Sequence, residues 1–169
     1  ATRDGLRAAC RSARRQEEGY AANRERLQVS LDGTVEELCT LYRETFERQG
    51  IVVAAKEADL LPGFAGGLIE TFGAELLTVR HENGLALAIA LVFCDRDDTV
   101  HVPVVGTGDT RFGGTLLYFH ILDHALESGA GAVDFDGANS PKRAYFKHSM
   151  GAEPVLTFEV VWERDAAMP

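Results

Sequence analysis

In a chain of 169 residues, the loop Arg111-Phe112-Gly113-Gly114-Thr115 is the segment best suited to an anionic ligand. Its glycine pair stands where an apolar-periodic helix begins, so backbone amides can approach phosphate oxygens while the helix terminus supplies partial positive charge. Arg111 adds a charge-assisted contact. Glycine pairs before helices are common, and this one gains weight from the strand before it, which is broken by Pro103. A proline there leaves N–H and C=O groups of Val104, Val105 and Gly106 to face a cleft, or simply marks a strand edge. Asp134 and Asp136 alternate with Val133 and Phe135, which puts both carboxylates on one strand face. Asp136, at the C-terminal end, is placed to take a proton directly or through water, or else to bond turn amides ahead of Gly137. Lys147 follows Phe146 on a helix with Lys142 and Arg143, where a solvated lysine is the plain alternative to a functional one. His120 and His124 have a metal-compatible spacing beside Asp123. Leu117, Ile121, Ala125 and Leu126 already define a core face there, the motif glutamate of a metalloprotease is missing, and no metal is expected. There is no Ser-His-Asp elbow, Walker loop or dinucleotide fingerprint.

Arg3 to Glu25 is polar and helix-prone, expected to pack weakly or on a partner. Leu27 to Leu31 alternates as a short strand closed by Asp32-Gly33. Thr34-Val35-Glu36-Glu37 has the form of a capping box, and a helix runs on to about Gln49. A second helix is predicted between Asp59 and Phe72, with Pro62 in its first turn and Leu61, Phe64, Leu68, Ile69 and Phe72 inward. Strands over Glu75–Glu82 and Leu85–Cys94 join at Asn83-Gly84, both turn residues favouring positive φ. A third strand, Thr99–Val105, contains Pro103. After the glycine loop come a helix over Thr115–Ser128, a strand over Ala132–Asp136, a helix opened by Ser140-Pro141 and closed by Gly151, and a last strand over Val155–Trp162.

Composition bounds the reading. The net charge is −9 and 46% of residues are apolar, which suits one globular domain rather than a disordered, collagen-like or disulfide-stapled chain. The longest apolar run, Leu85 to Cys94, is about half of a bilayer crossing, so no membrane span is expected. Cys10, Cys39 and Cys94 are odd in number and unpaired in spacing, which favours a reduced, cytoplasmic setting. Residues 1–26 hold seven arginines against four carboxylates, a net of +3, and the remainder carries −12. The division is a basic N-terminal helical arm, 1–26, and a single domain, 27–169. The arm either touches a polyanion or is a solvated helix face.

The succession of elements resembles the GNAT acyltransferase fold, in which a central helix follows a splayed strand and a short helix precedes the last strand. Val133-Asp134-Phe135-Asp136-Gly137, Tyr145-Phe146-Lys147 and Gly151-Ala152-Glu153-Pro154 look like the C-terminal part of the FemABX-like branch. Arg7 and Arg11, leading into a strand and a helix with Leu41, Tyr42 and Thr45, resemble the segment that opens the second domain of Fem-type enzymes. The likeness covers most of residues 7 to 162. It implies an α+β (α/β/α) fold with a mixed, mostly antiparallel sheet, a splayed central strand pair and flanking helices.

It also implies N-acyl transfer from an activated donor to a small-molecule or peptide amine. Val104, Val105, Gly106, Arg111, Gly113, Gly114, Thr115 and Phe146 would bind the donor, Lys147 would act in transfer and Asp136 would serve as base. The acetyl-CoA loop of GNAT enzymes, Arg/Gln-x-x-Gly-x-Gly/Ala, is matched by Arg111 to Thr115, with Leu116 in place of the final small residue. Fem-type ligases usually have two such domains, and one domain suits acyl-CoA (acetyl-CoA) as donor. Phe146-Lys147 and the arginine arm suit aminoacyl-tRNA. A third reading is a non-catalytic half of a larger assembly, which goes with a missing partner domain or a homodimer.

Overall fold

The computed structural model describes residues 2–138 and 140–156. Two helices, α1 (Arg3–Ala9) and α2 (Ser12–Asn23), precede strand β1 (Gln28–Ser30), helices α3 (Val35–Arg48) and α4 (Ala55–Phe72), and strands β2 (Glu75–Arg80), β3 (Ala86–Cys94) and β4 (Thr99–Thr107). Then follow α5 (Gly113–Glu127), β5 (Ala132–Asp134) and α6 (Pro141–Ser149). The sheet runs β1-β2-β3-β4-β5, antiparallel except for the parallel β4–β5 pair. This is the mixed, mostly antiparallel α+β architecture expected from the sequence. Among the described residues, no helix is long and apolar enough to cross a membrane.

Strand alternation divides the core into two layers. Leu76, Ile89, Leu91 and Val104 face α3 and α4 through Leu38, Leu41, Leu61 and Ala65. Leu77, Val79, Ala88, Ala90, Val92, Val100 and Val102 face α5 through Leu117, Phe119 and Ile121. Ten of the fifteen residues of α5 are buried, which makes it the central helix. The Thr34 capping box forms as expected: Thr34 Oγ1 accepts from Glu37 N, and the Glu37 carboxylate accepts from Thr34 N.

The structure corrects several local expectations. The arm is two helices broken at Cys10-Arg11, and it packs on α5 and α6. Arg7 and Arg3 hold the Asp123 carboxylate, and Cys10, buried, donates to Met150 O. Helix α4 starts at Ala55, so Pro62 lies in its interior, where it removes the bond to the Ala58 carbonyl. Phe64 and Phe72 are exposed rather than inward, because Leu61 and Ala65 make the contact with the sheet. At the β2–β3 turn only Gly84 has positive φ, 87°; Gly84 N donates to His81 O and Leu85 N to Asn83 Oδ1, which forms a longer turn than the two-residue one. Strand β5 ends at Asp134, so Asp136 does not share its face. The strand expected over 155–162 falls largely outside the described residues; Val155 and Leu156 are exposed and outside any strand.

Candidate active-site cleft

The site begins with a fault in the sheet. Leu91 pairs with Val104 and Phe93 with His101, so β4 carries one extra residue there, at Val102-Pro103. The bulge reverses which residues face which layer: Val102 points to the α5 layer, whereas Val104, two residues on, points to α3. Pairing with β5 covers only Thr99–His101 against Ala132–Asp134. Beyond His101 the two parallel strands part, and β4 runs on to Thr107 paired with β3 only. A proline that donates no N–H fits this opening edge.

Past the bulge, backbone direction alternates. Gly108 N donates to Leu87 O, toward β3, and Thr107 N and O turn the other way, to Thr45 Oγ1 of α3. Alternation therefore directs the N–H and C=O of Val105 to the free edge and those of Val104 and Gly106 into the β3 ladder. Of the three residues expected there, only Val105 offers its backbone to the cleft. Gly106 is required for another reason: a Cβ would stand 2.6 Å from Tyr42 N and 2.8 Å from Leu41 C, where α3 crosses the strand.

At the far end of this edge lies a cavity of about 220 Å³, lined by Thr107 to Arg111, Gly114, Thr115, Arg14, Arg48 and Phe146. The sequence-predicted Arg111, Gly114, Thr115 and Phe146 thus meet in one place. Gly113 does not line it. Its N–H is capped by Thr110 Oγ1 at 3.1 Å, and a Cβ would meet the Thr110 side chain at 2.6 Å. Gly114 has open space, its nearest neighbour being Thr107 Cγ2 at 3.8 Å. The α5 amides at Gly114 and Thr115 have no acceptor inside the helix.

Arg14 and Arg48 were not singled out from sequence. Arg14 Nε donates to Ser149 Oγ at 2.7 Å, its Nη1 donates to Glu17 and Thr115, and its guanidinium lies 4.7 Å over the Phe146 ring. Arg48, at the end of α3, donates to Thr107 O and Oγ1. Arg14 is paired with Glu17, whose carboxylate also accepts from Thr115 Oγ1; Arg111, Arg48 and the helix N-terminus, against the exposed carboxylate of Asp109, leave this cavity electropositive.

At the other end, a cavity of about 170 Å³ sits where the strands part, lined by Phe93, His101, Val102, Pro103, Asp134 and Asp136. Asp136 has φ 61°, and its N–H donates to Asp134 Oδ1 at 2.8 Å. Lys147, half-buried on α6, donates to the carbonyls of Phe135, Asp136 at 3.0 Å and Gly137 at 2.7 Å. Burial pushes its ammonium below the ordinary lysine range, against the pull of Asp136. All three of its protons are therefore engaged in holding the chain that leaves β5. Tyr118, beneath them, is flanked edge-on by Phe135 and Phe146, and burial, then Asp136, pushes its hydroxyl up to about 12.

His101 was also missed. Its Nε2 lies 2.7 Å from Asp95 Oδ2, its Nδ1 lies 3.5 Å from Asp134 Oδ2, and its ring stacks on Phe93. His120 and His124 take no common ligand: His124 Nε2 pairs with Glu75 at 3.2 Å, and His120 Nε2 is buried without a partner among the described residues. Among those residues no cluster of metal-ligating side chains forms.

An acetyltransferase (GNAT) domain model matches residues 2–148. The chain belongs to the GNAT acetyltransferase family. No curated protein matches it. Its fold is similar to the crystal structure of FemX, with a TM-score of 0.70 and 14% identity over 89% of this chain and 56% of FemX. This GNAT domain thus spans little more than half of that protein's length. It is similar also to a putative acetyl transferase from Pyrococcus furiosus, with a TM-score of 0.59 and 13% identity over 80% of this chain and 99% of that one. An aminoglycoside N-acetyltransferase solved with CoA gives a TM-score of 0.54 at 13% identity, over 83% and 94% of the two chains. At these identities the likeness is one of fold. The family match spans α1 and α2 as well as the elements that follow, up to His148 in α6.

Proposed function

We propose that this domain transfers an acyl group from acyl-CoA to a primary amine across the β4–β5 cleft. The observation that carries the reading is the line formed by the electropositive cavity at the start of α5, the free edge at Val105 and the carboxylate-lined cavity at Pro103. Phosphate groups fit the first: Arg111 and Arg48 supply positive charge, and Gly114 leaves its amide open to close approach. The Val105 N–H and C=O suit an amide-bearing arm laid along the strand edge. Acyl-CoA, when bound, supplies an activated thioester carbonyl.

In the second cavity Asp134 and Asp136 draw a cationic amine, and the parted strands hold it against the carbonyl carbon. Lys147 keeps the β5 end in place through its carbonyl bonds and sets a positive charge behind the site, where negative charge develops on the carbonyl oxygen. Asp136 thereby acts in binding the amine, and the proton is taken nearby.

Titration calorimetry with acetyl-CoA tests the donor. Binding at micromolar concentration that weakens about tenfold in Arg111→Ala is expected; no binding at high micromolar concentration overturns the reading. Aminoacyl-tRNA as donor gains less from the arm than its arginine count promised, since Arg3, Arg7 and Arg14 pair with Asp123, Glu18 and Glu17. Transfer from charged tRNA to an added amine, without acetyl-CoA binding, would establish that alternative.

A further inference from the structure

Resting on the acyl-transfer reading, we propose that His101 takes the proton from the acceptor amine, with Asp95 as its positioning residue. Three observations converge on the imidazole. It lines the cavity at the point where β4 and β5 part, which is where the reacting groups must meet. It is held on one face and one edge: Phe93 stacks on the ring at 5.1 Å, and Asp95 Oδ2 lies 2.7 Å from Nε2. The carboxylate that orients it is itself held, because Asp95 Oδ1 accepts from Asp97 N at 2.9 Å and Thr99 N at 3.0 Å.

These bonds assign the proton. An ionised Asp95, drawn below the ordinary carboxylate range first by His101 and then by the Thr99 amide, can only accept, so Nε2, 2.7 Å away, carries hydrogen, and in the neutral ring that acts as base Nδ1 carries the lone pair. That lone pair faces Asp134 Oδ2 at 3.5 Å. Two acceptors with no hydrogen between them call for a donor that reaches both, and an ammonium group has the hydrogens to do so. The charged groups around the ring are Asp95 from the β3–β4 turn and Asp134 from β5, with Asp136 in the same cavity. An imidazole is a stronger base than either aspartate.

The step balances. Nδ1 removes one proton from the ammonium, and the freed nitrogen lone pair forms the C–N bond to the acyl carbon. The C–S bond breaks with its electron pair on sulfur. The second nitrogen proton passes to solvent, and the sulfur is protonated from solvent.

The test combines two readouts on wild type, His101→Gln and Asp95→Asn. The first is thiol release from acetyl-CoA with tyramine, ethanolamine and glycinamide as acceptors across pH 5–9. The second is the histidine tautomer by long-range proton–nitrogen correlation in ¹⁵N-histidine protein. Expected are an Nε2–H tautomer in wild type, a fall in kcat of at least a hundredfold in His101→Gln with loss of the acid limb of the pH profile, and an unchanged acetyl-CoA Kd. Asp95→Asn keeps Oδ1 for the turn amides but presents N–H to Nε2, so the tautomer inverts and kcat falls while the fold holds. An Nδ1–H tautomer in wild type, or kcat in His101→Gln within threefold of wild type, overturns the proposal. Acetyl-CoA binding with no thiol release from any amine, even with the expected tautomer, overturns the transfer reading and the proton role with it; transfer that survives His101→Gln sinks the proton role alone.

Discussion

The Arg7 guanidinium donates to both oxygens of Asp123, at 2.8 and 2.9 Å, and so ties the N-terminal arm to the helix whose first turn lines the electropositive cavity. Both side chains are largely buried, 19% and 10% exposed, and Arg7 also grips Glu18. The arm is thereby a wall of the domain, which brings Arg14 over Phe146 and Thr115.

Breaking this pair leaves a charge buried without its partner. Arg7→Ala should cost about 2–4 kcal/mol of unfolding free energy in urea titrations at pH 7, and Asp123→Asn somewhat less. A loss under 0.5 kcal/mol would show that the arm does not depend on the pair.

The same carboxylate sets an acid limit. Burial alone would raise Asp123, but hydrogen bonds from Arg7 and then Arg3 outweigh it and hold the group at about 2, against 3.8 unfolded. A depressed carboxylate stabilises the fold above its unfolded value and loses that contribution as pH falls through the folded one. Wild type should therefore lose about 2 kcal/mol between pH 4.5 and 2 that Asp123→Asn does not lose. Parallel pH–stability curves for the two proteins would contradict this.

His120 should act nearer neutrality. Burial first, then His124, lowers it from 6.5. A depressed imidazole favours the folded state above the unfolded value, and the contribution drains away as pH falls below 6.5. His120→Leu should flatten the stability loss between pH 7 and 5, measured by chemical denaturation at each pH.

Glycines of similar appearance should differ sharply. Gly106→Ala drives a methyl into the α3 backbone and should cost about 2–3 kcal/mol or prevent folding. Gly114→Ala has room and should leave Tm within about 2 °C while weakening acetyl-CoA binding severalfold, since the methyl stands at the cavity wall. Equal Tm losses in both would refute the assignment.

Lys147→Met should remove the bonds to Phe135, Asp136 and Gly137 and cost about 1–3 kcal/mol, because three carbonyls lose a charged donor. Transfer should fall at least tenfold, with acetyl-CoA binding little changed. Intact stability with lost transfer would instead mean that the ammonium acts on the substrate alone.

How much was legible in the chain depends on the range of the interaction. The Thr34 capping box, the Ser140-Pro141 start of α6 and the apolar face of α5 are set by residues within one or two helical turns, and these were readable. Pro103 announced a strand with one open side, and the glycine loop announced the start of α5. The tertiary structure decided what depends on distant neighbours: Phe64 stays exposed because Ala65 and Leu61 fill the space against the sheet, and Gly106 is glycine because α3 crosses there. It also decided which residues line the two cavities. Arg14, Arg48 and His101 carry no local signal, since they reach the cavities only when α2, the end of α3 and the bulged β4 converge. Local sequence sets backbone preference over a few residues, whereas side chains separated by about 100 residues meet only through the packing of a whole core.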